Sequence, residues 1–223
     1  MKARHYMKNL LFKEFVLATP TLSYAFFAFT LMTFLPGYPI LCGAFFVCFG
    51  LFQAYQLSRE DHDILYSVLL PVAKEDVVLA KYAAAVLLQL AAFVLCAVFT
   101  AVRMLWLCHA AAYQNNPLLS ANPVYLAFVL LIFALFNCVF LCGFFKTAHK
   151  IARPFFCFAA ASFLLIIVAE VLPHLPALTW MGAGDGSFLP QQLTVLLCAA
   201  VVYTVATAAA CKVSQRRFAR LDL

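Results

Sequence analysis

Few residues in this chain have the types and spacing for chemistry. There are nine cysteines and five histidines. Cys42, Cys48, Cys96, Cys138, Cys142, Cys157, Cys198 and Cys211 fall in or beside long apolar stretches. The chain has no C-x-x-C, which disfavours a disulfide oxidoreductase. Cys138 and Cys142 share a helix face at i, i+4, a spacing two metal ligands can use. Free cysteine is also an ordinary small packing residue, and that reading is preferred. Cys42 and Cys108 both lie near outer ends of apolar stretches; a disulfide is conceivable there, but spacing does not establish it. His5, His62, His109, His149 and His174 form no H-E-x-x-H or similar set. Gly182-Ala183-Gly184-Asp185-Gly186 lacks the Lys-Ser/Thr and strand-to-helix context of a phosphate loop. No Walker-type sequence occurs anywhere. No carboxylate pair, Ser/His dyad or metal set sits at membrane depth, so no catalytic or metal-binding residue is assigned.

Two ionisable residues lie inside apolar stretches. Arg103 and Glu170 are near the outer ends of the third and fifth stretch, at similar depth. They can form an inter-span ion pair, or each can reach headgroups by snorkelling. A proton-coupled carrier would hold a carboxylate nearer the midplane, and none is present. Gln53, Gln56, Gln89 and Asn137 can join helices by hydrogen bonds or line a pathway; the joining role is preferred.

The acidic residues are concentrated. Five of the nine fall in one connection: Glu60, Asp61, Asp63, Glu75 and Asp76. Ser58 can cap a short helix whose first turn carries acids, which the helix dipole favours. Ile64, Leu65, Val68 and Leu69 would make its apolar stripe, and Pro71 ends it. Lys74-Glu75-Asp76 opens the next helix, continuing through Lys81 and Tyr82. The expected element is a cytoplasmic helix joined to two spans, either docking a partner or resting on lipid.

These features must be positioned by membrane helices. The 223 residues are 66% hydrophobic and 11% charged, with mean hydropathy +0.98. A soluble domain carries about 45–50% apolar and about 25% charged residues. Disorder, a nucleic-acid-binding arm and a water-soluble enzyme are excluded; nucleic acid is not an expected partner. Six apolar stretches are near Val16–Leu35, Ile40–Leu57, Tyr82–Leu107, Val124–Phe145, Phe155–Leu172 and Gln191–Cys211. The first two are joined by Pro36-Gly37-Tyr38-Pro39, with a re-entrant hairpin as the alternative.

Lys2, Arg4, Lys8 and Lys13 precede the first stretch. Arg59, Lys74 and Lys81 follow the second, and Lys146, Lys150 and Arg153 the fourth. Lys212, Arg216, Arg217 and Arg220 end the chain. Only Arg103 of the fifteen basic residues lies elsewhere. With six spans all four basic segments share one side, the cytoplasm. The net charge of +6 is thus a topology signal, with attraction to anionic lipid besides.

The expected fold is an all-α integral membrane protein with six transmembrane helices and both termini cytoplasmic, a single domain over 1–223. An uncleaved first span is expected, since no small-x-small site follows the apolar run. Met7, Leu10, Leu11 and Phe15 recur at helical spacing, so residues 1–15 read as an interfacial helix, with an extension of span one as the alternative. Gly43, Gly50 and Ala54, and likewise Ala206 and Ala210, give small-residue faces for close helix approach.

The run Leu70-Pro71-Val72-Ala73-Lys74-Glu75-Asp76-Val77-Val78-Leu79-Ala80-Lys81-Tyr82, preceded by Glu60-Asp61, resembles small six-span permeases of the type-2 ABC transporter superfamily in bacteria. Some of these export amphipathic peptides and others are linked to bacteriocin immunity. Residues 1–85 carry the resemblance, including the interfacial helix and the Pro36–Pro39 turn; the later spans agree in number and length. Ala73 stands where the family often has a small hydroxyl residue.

The resemblance implies that segment 58–76 holds the coupling helix, with Glu60, Asp61, Leu69, Leu70 and Pro71 carrying the contact to a cytoplasmic ABC ATPase. It implies a second permease chain, as homo- or heterodimer, and ATP and magnesium bound in the ATPase rather than here. It implies a partly re-entrant outer loop over 173–190, with Trp180, and a place in the bacterial cytoplasmic membrane. The expected function is the permease subunit of an ATP-driven exporter for an amphipathic or hydrophobic substrate. The alternatives are an ATP-independent carrier or channel, or an intramembrane enzyme. No residue is assigned to substrate binding.

Overall fold

The computed structural model describes residues 2–69, 72–107, 110–114, 118–147 and 150–220. Helix α1, Lys2–Lys13, runs into a π turn at Glu14–Ala18. Thr19 is extended before Pro20, as the proline ring requires of its neighbour. Helix α2, Thr21–Ala25, then tightens into a 3₁₀ helix over Phe26–Phe34. The turn that follows uses Gly37 at φ +73°. Helix α3 covers Cys42–Glu60, and α4 covers Asp63–Leu69. Helix α5, Lys74–Val102, ends in a π turn at Arg103–Leu107, followed by the short α6, Ala111–Gln114.

Helix α7, Pro123–Leu135, opens on Asn122, whose Oδ1 accepts from the Tyr125 N–H at 3.0 Å. Pro123 occupies a first-turn position whose N–H needs no partner. A π turn, Phe136–Leu141, leads into α8, Cys142–Thr147. Helix α9 covers Ala152–Val171, two 3₁₀ turns follow at Leu172–His174 and Thr179–Gly182, and α10 covers Leu189–Ala219. The described residues contain no strand.

Among the described residues four helical stretches are long and apolar enough to cross a bilayer: Lys74–Leu107, Pro123–Thr147, Ala152–His174 and Leu189–Ala219. They contain the third to sixth expected spans. A bent pair, Met7–Val16 with Thr21–Phe34, makes a fifth if taken as one span. The expected continuous first span over Val16–Leu35 is not formed, because the chain bends by 80° at the break around Pro20. In the second arm the 3₁₀ part rises about 2 Å per residue, so Thr21–Phe34 reaches about 25 Å. Helix α3, with 19 residues, is long enough to cross but is less apolar than the other four. Gln53, Gln56, Ser58, Arg59 and Glu60 make its second half polar. Ser58 lies in that half, within α3, rather than capping α4 as the spacing suggested.

Helix α7 is the centre. Within its span, 78% is buried inside the protein, against 33% or less for the other three spans. It packs on α10, α9, α5 and α3. Apolar surface alone does not drive helices together in lipid, so close packing and polar contacts must do so. Aromatic rings fill the seam between α3, α9 and the α7–α8 rod. Phe52 stacks on Phe155 at 4.1 Å, Tyr55 meets Phe144 edge-on at 5.1 Å, and Phe136 meets Phe158 at 5.2 Å.

On its other side α3 presses on the 3₁₀ helix and α2 through Gly43 and Gly50. A Cβ on Gly43 would lie 2.6 Å from the Phe29 carbonyl oxygen, and one on Gly50 would lie 2.6 Å from Phe26 Cβ. Ser23 Oγ donates to the Gly50 carbonyl at 2.6 Å across that contact. Gly50→Ala is therefore expected to force the two elements apart at a cost of about 1–3 kcal/mol. A lower melting midpoint of the detergent-purified protein checks this, and an unchanged midpoint contradicts the close approach.

Candidate functional site

Helix α4 is bound to three other elements through its first residue. Asp63 follows His62, which takes the left-handed conformation at φ +52° and turns the chain out of α3. Histidine is among the residues that tolerate this conformation. Lys81, two turns into α5, donates from Nζ to Asp63 Oδ2 at 2.8 Å, Glu14 Oε2 at 2.9 Å and Ser58 Oγ at 3.1 Å. Lys13 at the end of α1 lies 2.6 Å from Asp63 Oδ1 and donates to Ser67 Oγ at 2.5 Å. Ser58 Oγ donates to Asp63 Oδ2 at 3.0 Å, and Ser67 Oγ returns to the Asp63 carbonyl at 2.7 Å.

Two ammonium groups thus face two carboxylates, and the charges balance. The Lys81 side chain is 1% exposed and that of Glu14 is 7%. A Lys ammonium is tolerated at such burial only when paired and hydrogen-bonded. Burial pushes the Asp63 carboxyl upward, but the Lys81 charge and the hydrogen bonds from Lys13 and Lys81 outweigh it, holding it at about 2.

The opposite face of α4 is open. Leu65 is 45% exposed, Tyr66 64% and Leu69 83%, whereas Ile64 and Ser67 are buried. The expected stripe of Ile64, Leu65, Val68 and Leu69 is therefore split, because the Asp63 network fixes which way the helix faces. Glu60 and Asp61 are exposed beside this face, with Glu60 Oε1 taking Arg59 at 3.7 Å and Gln56 at 3.2 Å. Leu70 and Pro71 lie outside the described residues. The surface is a short apolar ridge with an acidic edge.

A second polar network crosses the bundle interior. The Gln89 and Asn137 amides pair reciprocally at 2.9 and 3.0 Å. Tyr203 donates to Gln89 Oε1 at 2.9 Å, and Asn137 Nδ2 donates to Thr207 Oγ1 at 3.0 Å. Tyr82 adds the Asn137 carbonyl at 3.2 Å and Ser214 at 2.8 Å. These bonds tie α5, the central π turn and α10. Gln89 and Asn137 act as the helix-joining amides that the sequence suggested. The Cys138 and Cys142 thiols point at the Ala206 and Ala210 carbonyls of α10, 3.6 and 3.9 Å away. Among the described residues no group of three His, Cys, Asp or Glu side chains is placed to hold a metal ion. Cys42 is a free thiol, and Cys108 lies outside the described residues.

Arg103 and Glu170 find separate partners at the far end from α4. Arg103 Nη1 donates to the Thr33 carbonyl at 2.6 Å, and its guanidinium lies 4.4 Å from the Tyr113 ring centre. Glu170 Oε2 accepts from the Leu119 N–H at 2.7 Å. No ion pair joins the two among the described residues. Nearby, Asn122 and Gln192 amides hold the carbonyls of Trp180, Met181 and Ala183, which fixes the 3₁₀ turn of the 173–190 loop.

Sequence reasoning missed Lys13, Glu14 and Lys81 as members of the α4 network. A signal was present: Glu14 is the only acid before Glu60, and Lys81 is a lone cation between Ala80 and Tyr82 in an apolar run.

Several apolar helices of spanning length and buried interhelical polar networks define a multi-pass membrane protein. The sequence model of the family described as ABC-2 family transporter protein matches residues 9–219. The chain belongs to that family. No curated protein matches it, and no solved structure does.

Lys81→Met leaves two buried carboxylates without their shared cation. It is expected to cost about 3–5 kcal/mol, read as a drop of about 10 °C in the detergent melting midpoint. Lys81→Arg should lose much less. The depressed Asp63 carboxyl gives stability that is complete above its ordinary value of 3.8 and is lost as pH falls toward about 2. A melting series over that range should fall, and Asp63→Asn should flatten the Asp63 part of the slope.

Proposed function

We propose that the chain is the membrane-spanning permease subunit of an ATP-driven ABC exporter, and that α4 is the helix on which a separate cytoplasmic ATPase docks. The observation that carries this reading is the open ridge of Leu65, Tyr66 and Leu69 beside Glu60 and Asp61, on a helix whose other face is fixed to the membrane helices by Asp63. A ridge held this way transmits a push instead of rolling under it. Leu70 and Pro71 would extend the same contact.

ATP and magnesium would sit in the ATPase, and this chain would do no hydrolysis. Closure of two ATPases around ATP would displace α4 in each of two permease chains, and the space between the chains would switch from inward- to outward-facing. In this reading α3 and the bent N-terminal pair complete six spans, with the α4 end, both termini and the basic residues on the cytoplasmic side of a bacterial membrane. The exposed apolar faces of α5, α9 and α10 meet lipid and the second chain. The substrate is amphipathic or hydrophobic, such as a peptide.

Purification of the tagged chain from its own membranes in mild detergent, with mass spectrometry of what accompanies it, tests the reading. A soluble ATPase in stoichiometric amount is expected. Leu69→Asp or Asp61→Arg should reduce the recovered ATPase by about tenfold, since each alters an exposed anchor of the contact. A chain that purifies alone, or that keeps its ATPase in both variants, contradicts the assignment.

A further inference from the structure

The N-terminal arm is pinned at both ends of α5. At one end Glu14 takes Lys81 at 2.9 Å; at the other the Thr33 carbonyl takes Arg103 at 2.6 Å. At a rise of about 1.5 Å per residue these pins are about 33 Å apart along α5, close to the apolar thickness of a bilayer. Between the pins the N-terminal chain turns by 80°, from α1 into Thr21–Phe34. Two buried cations of one helix thus hold both arms of an elbow.

The short arm is also joined to α4. Lys13 bridges directly to Asp63 and Ser67, and Glu14 reaches Asp63 through the shared Lys81 ammonium. Lys13 also lies 3.3 Å from Glu14 Oε1, which closes the ring. The four charged side chains come from α1, the π turn, α4 and α5. Ion pairs of such geometry in a site shielded from water are strong and directional.

We infer that Lys13 and Asp63 are positioning residues that make α1 and α4 move as one body, so that α1 is the short arm of a crank. Displacement of α4 carries α1 with it, and the elbow at Pro20 turns that displacement into a tilt of Thr21–Phe34 against α3. The 3₁₀ backbone of that arm suits the task, since such stretches often mark hinges. The inference rests on the docking reading above and adds the route by which α4 moves a membrane segment.

Hydrogen–deuterium exchange on the purified permease–ATPase complex tests it, comparing the nucleotide-free state with the state trapped by MgATP and vanadate. Amides of residues 7–16 and 63–69 are expected to change together on trapping. In Lys13→Gln, which removes the direct bridge but leaves Lys81 with both carboxylates, the change in 63–69 should persist. The change in 7–16 should fall about tenfold in the same variant, the range seen when a coupling residue is removed. A wild-type complex in which 63–69 changes and 7–16 does not overturns the inference, as does a Lys13→Gln variant in which both still change. Either outcome leaves the docking reading standing, because the complex and the α4 response are present. Absence of an ATPase from the preparation, or no response at 63–69, overturns both.

Discussion

A lysine ammonium shut away from water needs oxygen partners on every open side, and Lys81 draws them from three different elements. Glu14 comes from the π turn after α1, Ser58 from the last turns of α3, and Asp63 from the start of α4. Removing any carboxylate leaves charge uncompensated in an apolar setting, so the elements are held in one arrangement. This single requirement orients α4. It turns Ile64 and Ser67 inward and leaves Leu65, Tyr66 and Leu69 facing out. The exposed ridge proposed for docking is thus a consequence of the charge network rather than of the helix's own apolar pattern.

The same economy recurs through the bundle. In lipid, apolar contact gives no net drive between helices, so shape and hydrogen bonds select the neighbours. The Gln89–Asn137 pair, with Tyr82, Tyr203 and Thr207, joins α5 and α10 to the central rod. Gly43 and Gly50 let α3 lie against the 3₁₀ arm at backbone distance. Irregular backbone is placed where partners exist: the Arg103 end meets Thr33 and Tyr113, and the turn over Thr179–Gly182 meets Asn122 and Gln192. Bent or non-α backbone at membrane depth is tolerable only with such cover.

Much of this was legible in the chain itself. The four long spans follow from uninterrupted apolar runs, and α4 from an acid-rich opening before Ile64. The family follows from the Leu70–Tyr82 run, and the match over 9–219 agrees. The bend of the N-terminal arm was not legible, because Phe26–Phe34 reads equally well as α or 3₁₀ and an apolar run conceals a proline elbow. The outward turn of Leu65 and Leu69 was hidden for a different reason: it depends on pairings such as Lys81 with Glu14, 67 residues apart. Arg103 and Glu170 show a third limit. Hydropathy gives depth along a helix but not direction around it, so two charges at one depth found partners on different neighbours.

The central claim is that α4 is where a cytoplasmic ATPase meets this membrane domain. Single-particle imaging of the complex purified in mild detergent tests it most directly. The account expects density for a soluble subunit seated on Leu65, Tyr66 and Leu69, with Glu60 and Asp61 at the edge of the contact. A soluble subunit seated elsewhere, with the α4 ridge lying in the detergent belt, would contradict it.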